Sequence, residues 1–117
     1  MTEMVPWEQV RAEALEAGRV TQDAITQAKI EQDAYVAGYR LAELRGKTGM
    51  TQTQLADAIG VSQARVSAME RGDVDSLTVA SVRAYITALG GTVRIVASLD
   101  DIEVTLRLPG DPRPSAA

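Results

Sequence analysis

Gln52 and Gln63 stand in matched places, each following a hydroxyl residue able to cap a helix, Thr51 and Ser62. An amide at the first turn of a helix, beside free backbone N–H groups, can hold a phosphate. That is contact chemistry, and the rest of the composition agrees with it. The 117-residue chain holds no His and no Cys, which removes imidazole bases and ligands, thiolate ligands, cysteine nucleophiles and disulfides. The sequence contains no phosphate loop, no metal-ligand spacing and no nucleophile–base set. The adjacent acids Asp100 and Asp101 suit a tight turn better than paired-carboxylate catalysis. The reading is a non-enzyme with no cofactor and no metal.

The elements that would position the two glutamines lie in residues 52–71, QTQLADAIGVSQARVSAMER. Thr51 and Gln54 have the spacing of a capping box, and Leu55, Ala56 and Ile59 give the helix that follows an apolar face. Gly60 breaks it, Ser62 caps a second short helix with Val66 and Met69 inward, and Gly72 ends that one. Counted from Gln52, the small Ala56 is fifth, Gly60 ninth and Val66 fifteenth. Two helices crossing through a short turn need a small residue where they touch and a glycine in the turn, so the spacing predicts a helix-turn-helix. At ~100° per residue, the side of the second helix opposite Val66 and Met69 holds Ala64, Ser67, Ala68 and Arg71, flanked by Gln63 and Arg65.

Around this unit the pattern is mainly helical. Pro6 and the stripe Trp7, Val10, Ala14 and Leu15 predict a first helix to Ala17, ended by Gly18. A second starts at Thr21, with Ile25, Ala28, Tyr35, Tyr39, Leu41 and Leu44 as its apolar spacing, and stops near Lys47–Gly49. Gly38 lies inside it and leaves its continuity open. Thr78 caps a helix with the stripe Val79, Val82, Ile86 and Leu89, stopped by Gly90-Gly91. The period then changes to two: Val93, Ile95, Ala97 and Leu99, then Ile102, Val104, Leu106 and Leu108, form one apolar face of a β-hairpin. The expected organisation is an N-terminal helical extension over 1–38, a helix-turn-helix domain over 39–91, the hairpin over 92–108 and a disordered tail over 109–117.

The net charge of −4 argues against a nucleic-acid partner when taken as one number. Its distribution argues otherwise. Residues 1–39 carry −4, residues 40–95 carry +2 and residues 96–117 carry −2, a mildly basic centre between acidic flanks. No run of ~18 apolar residues predicts a membrane span. Met1 to Val10 lacks the build of a secretory signal, so a cytoplasmic location is expected.

The stretch MTQTQLADAIGVSQARVSAMERG, within a match from Tyr39 to Gly90, resembles the lambda-repressor-like, or XRE-type, DNA-binding domain. The resemblance implies base-reading positions at Gln63, Ala64, Ser67 and Ala68. Gln63 would pair with adenine, the alanines would meet thymine methyls, and Arg65 would reach guanine or phosphate. It also implies a backbone contact and a brace on Gln63 from Gln52, and an ion pair between Arg45 and Glu70. Arg45 is thereby read as structural, and the expected DNA face is Thr51, Gln52, Ser62, Gln63, Ala64, Arg65, Ser67, Ala68 and Arg71. Such domains bind paired half-sites as dimers, and an isolated hairpin is marginal in water. The expected dimer interface is therefore Val93, Ile95, Ala97, Leu99, Ile102, Val104 and Leu106. The opening W-EQVRAEAL and the join AYITALGGTVRIVASL make the whole layout similar to HigA-type antitoxins. That similarity implies repression of the protein's own operon and direct neutralisation of a HigB-like ribonuclease toxin. Trp7, Val10 and Leu15 on the acidic extension are the candidate toxin contacts. The alternative is a stand-alone XRE-type repressor with no toxin.

Overall fold

The computed structural model describes Ala12 and residues 21–109. The first-helix stripe, with Trp7, Val10 and Leu15, and the tail beyond Pro109 lie outside the described residues. Helix α1 spans Gln22–Thr48, capped by the Thr21 hydroxyl accepting from the Ala24 amide and ended at Gly49 in the left-handed region, φ 77°. It runs unbroken through Gly38, so the division expected between residues 38 and 39 falls inside one helix. Helix α2, Gln52–Ile59, starts with both bonds of the Thr51–Gln54 capping box. Helix α3, Gln63–Glu70, is capped by Ser62, whose hydroxyl accepts from the Arg65 amide at 3.1 Å. A 3₁₀ turn, Val74–Ser76, leads to helix α4, Val79–Ala88, which has its own capping box between Thr78 and Ser81.

Leu41, Leu55, Ala56, Val66, Met69 and Tyr85 form the buried core where α1, α2, α3 and α4 meet. Two apolar stripes differ from expectation. On α1 the buried face is Ala34, Gly38 and Leu41, while Tyr35 and Tyr39 are exposed. The end of α3 passes so close to α1 that only small residues fit there: a Cβ on Gly38 would stand 2.6 Å from the Met69 carbonyl oxygen. On α4 the fully buried residue is Tyr85, and Val79 is exposed. Val79 is about 120° round the helix from Tyr85, which puts it at the rim of the packed arc.

Strands β1, Ile95–Leu99, and β2, Ile102–Leu106, pair antiparallel with Leu99 opposite Ile102 and Ile95 opposite Leu106. The connection is the two residues Asp100 and Asp101, and Asp100 takes φ 52°, a left-handed conformation that aspartate tolerates better than most residues. The register sets Ile95, Ala97, Leu99, Ile102, Val104 and Leu106 on one face. Val93 precedes the ladder instead of sharing it, because pairing begins only at Ile95. It is half-buried beside the helices' end of the hairpin.

Candidate nucleic-acid interface

The turn between α2 and α3 brings the two glutamines together. Gln63 Nε2 donates to Gln52 Oε1 at 2.7 Å. Gln52 Nε2 in turn donates to Glu70 Oε1 at 3.0 Å. Glu70 is held from the other side by Arg45, whose Nε and Nη2 donate to the two carboxylate oxygens at 2.8 Å each. Arg45 Nη1 donates to the Met50 carbonyl, which ties α1 to the loop before α2. The Tyr85 hydroxyl lies 2.7 Å from Glu70 Oε2 and 2.9 Å from the Leu41 carbonyl oxygen, so α4 joins the same cluster. Every helix of the core thus converges on one carboxylate.

Burial alone would raise the Glu70 carboxyl above its ordinary range. The hydrogen bonds from Arg45, Gln52 and Tyr85, with the charge of Arg45, outweigh it and leave the group lowered. The Arg45 guanidinium is raised, chiefly by its hydrogen bonds to Glu70. Burial, then the hydrogen bond to Glu70, push the Tyr85 hydroxyl well above the usual tyrosine range. The bidentate pair is shielded from water, with side-chain exposure of 6% for Glu70 and 19% for Arg45.

The outward side of α3 carries the other expected contacts. Thr51, Ser62, Gln63, Ala64, Arg65 and Arg71 are exposed, and Gln52, Ser67 and Ala68 are half-buried. Arg71 Nη1 donates to the Ser67 hydroxyl, so those two residues act as a pair. Arg65 lines a cleft of about 250 Å³ between α3 and α4, with Ile59, Val61, Met69 and Ala84 among its walls. Gln63 and Ser67 lie one turn apart on α3, and the small Ala64 and Ala68 beside them give a surface that can lie close to a base edge.

Residues 41–96 match the helix-turn-helix family model HTH_3. HigA3, a protein named as an antitoxin, from Mycobacterium tuberculosis H37Rv, is 40% identical over 107 residues, covering 91% of this chain and 98% of its own. The chain belongs to the HigA antitoxin family. HigA2 of the same organism is 38% identical over 87 residues, 74% of this chain and 86% of its own. Among solved structures, a HigA antitoxin described as inducing DNA bending by unique dimerisation is 43% identical, with a TM-score of 0.50, and matches 58% of this chain and 91% of that one. A DNA-bound HigA3 antitoxin is 43% identical, with a TM-score of 0.52, over 57% of this chain and 87% of that one.

One member of the site in this HigA-family chain escapes sequence reasoning. Tyr85 fell outside the α4 stripe read from apolar spacing; a hydroxyl one turn from Val82 and Leu89, in an otherwise apolar arc, was the available signal. Ser67 and Arg71, both expected on the DNA face, bond to each other as their i, i+4 spacing allows.

The cluster gives the fold a pH window. The lowered carboxyl of Glu70 contributes stability that is present above its ordinary value of 4.5 and lost as pH falls through its lowered value. The raised hydroxyl of Tyr85 contributes stability that is present below its ordinary value of 10.0 and lost as pH rises beyond it, because the unfolded chain then ionises while the folded one does not. Urea unfolding midpoints should form a plateau between these limits and fall on both sides. In Tyr85→Phe the unfolding free energy across the plateau should drop by about 1–3 kcal/mol, because the single buried hydroxyl donor shared by Glu70 and Leu41 is lost. Its alkaline limb should flatten.

Proposed function

We propose that this chain is a dimeric, operator-binding antitoxin that represses its own transcription and neutralises a HigB-like toxin by direct contact. The observation that carries the DNA half is the brace between Gln52 and Gln63 at the exposed start of α3. Helix α3 enters the major groove with Gln63, Ala64, Ser67 and Ala68 toward base edges. Thr51 and Gln52 sit at the α2 N-terminus, where free N–H groups hold phosphate, and Arg65 and Arg71 flank the groove. The apolar face of the hairpin joins two copies so that two α3 helices address half-sites about 34 Å apart. The mildly basic centre faces DNA, and the acidic extension with Trp7, Val10 and Leu15 faces a basic toxin. The protein works in the cytoplasm by contact, not by catalysis. Among the described residues no helix is long and apolar enough to cross a membrane.

Two measurements on one preparation test the two halves. The full chain should shift a duplex from upstream of its own gene, with affinity falling steeply as salt rises. It should also co-purify with the product of the neighbouring gene when the two are co-expressed. A chain lacking residues 1–20 should keep the DNA shift and lose most of the co-purified toxin. Full toxin retention by that truncation would remove the N-terminal contact, and a salt-insensitive or absent shift would remove the operator reading.

A further inference from the structure

The hydrogen bonds through Gln63, Gln52 and Glu70 all run in one direction, each donor pointing toward the carboxylate. Glu70 is an ionised carboxylate and can only accept. Its Oε2 receives Arg45 Nε and faces the Tyr85 hydroxyl, and its Oε1 receives Arg45 Nη2 and Gln52 Nε2. Gln52 must therefore turn its NH₂ group inward and its oxygen outward. That oxygen accepts from Gln63 Nε2 at 2.7 Å. Gln63 is left with one free N–H and its free Oε1.

One donor and one acceptor side by side complement the N7 acceptor and N6 donor of adenine. Were Gln52 reversed, Gln63 would have to offer its oxygen to Gln52 and would present two N–H donors. Two donors complement the N7 and O6 acceptors of guanine. The acceptor-only end of the chain thus selects the base at its far end.

We propose that Glu70, the last residue of α3 with its side chain turned into the core cluster, is a positioning residue that sets the adenine-over-guanine preference of Gln63 through the orientation of Gln52. This rests on the reading of α3 as the groove-inserted helix. The proposal predicts a loss of discrimination at one base pair per half-site, where a merely structural Glu70 would weaken all sites alike.

The test is a selection from a pool of randomised duplexes with the full-length chain, Gln63→Ala and Glu70→Gln. The base that Gln63→Ala ceases to select marks the Gln63 position. The wild-type chain should prefer adenine over guanine there by about tenfold or more. Glu70→Gln, whose amide can donate or accept, should bring that ratio to within about threefold and leave the other selected bases in place. If Glu70→Gln does not fold, Arg45→Met combined with Glu70→Gln removes the unpaired cation and carries the same expectation. An unchanged adenine preference in the folded variant, or a guanine preference in the wild type, overturns the proposal while leaving DNA binding intact. No enriched sequence with the wild-type chain overturns the operator reading itself, and this inference with it.

Discussion

Alanine at Gly38 should destabilise the fold, while alanine at Gly46, eight residues further along the same helix, should stabilise it. Both sit inside α1, where glycine costs about 1 kcal/mol against alanine in helix propensity. At Gly46 an added Cβ meets nothing within 4 Å, so the propensity gain of ~1 kcal/mol should appear in full. At Gly38 the same atom would stand 2.6 Å from the Met69 oxygen, 2.7 Å from the Gly72 nitrogen and 2.8 Å from the Glu70 oxygen. All three are backbone atoms, and none can rotate away. Gly72 is equally tight from its side, since a Cβ there would lie 2.6 Å from the Tyr35 Cα. Its φ of 84° adds a second reason for glycine.

The end of α3 would have to lift off α1 to admit the methyl. Glu70 is the last residue of α3, so the movement would also pull on Arg45 and Tyr85. Overpacking of this kind costs about 1–3 kcal/mol or more, which outweighs the propensity gain. A net loss of about 2 kcal/mol is a large share of the roughly 5–15 kcal/mol that holds such domains folded. Urea denaturation of Gly38→Ala and Gly46→Ala beside the wild-type chain should move the midpoints in opposite directions. Equal midpoints would show that the α1–α3 crossing is looser than these distances require.

That crossing also marks where the sequence stopped being legible. The caps were readable because they are local: Thr51 and Gln54, or Ser62 and the Arg65 amide, are three residues apart and need no partner from elsewhere. The hairpin was readable because strict alternation and a two-residue Asp100-Asp101 turn fix the register together. The buried face of α1 was not. Tyr35 and Tyr39 repeat at helical spacing as well as Ala34 and Gly38 do, and only the close approach of a second backbone decides for the small pair. Tyr85 was missed for a related reason. Val79, Val82, Ile86 and Leu89 already complete a stripe without it, and its partners Leu41 and Glu70 lie 44 and 15 residues away. Gln52, Gln63, Arg45 and Glu70 were legible as a set through the family likeness. The bond from Gln52 to Glu70, which joins the two pairs into one network, came only with the structure.

Lysine at both Leu99 and Ile102 should leave the helical core folded, separate the dimer and lower operator affinity by about 100-fold or more. The two residues face each other at the turn end of the hairpin, and they are 72% and 62% exposed in the single chain. Val104 and Leu106 continue the same face at 47% and 42% exposure. The single chain buries little of these side chains, so charging two of them removes little from its own stability. A second copy laid on this face would bury them, and two lysine pairs would then be desolvated without partners. Light scattering should report twice the 12.5 kDa chain mass for wild type and a single chain mass for Leu99→Lys/Ile102→Lys. Val96→Lys is the matched control. Val96 is 51% exposed and lies on the opposite face, across from Thr105, so its charge should leave the dimer intact. The loss in affinity comes from geometry: without the hairpin each α3 meets its half-site alone, and the second contact no longer follows at high effective concentration. A double variant that keeps twice the chain mass would move the dimer contact off the hairpin's apolar face. Retained mass with lost DNA binding would instead place the hairpin turn against the DNA.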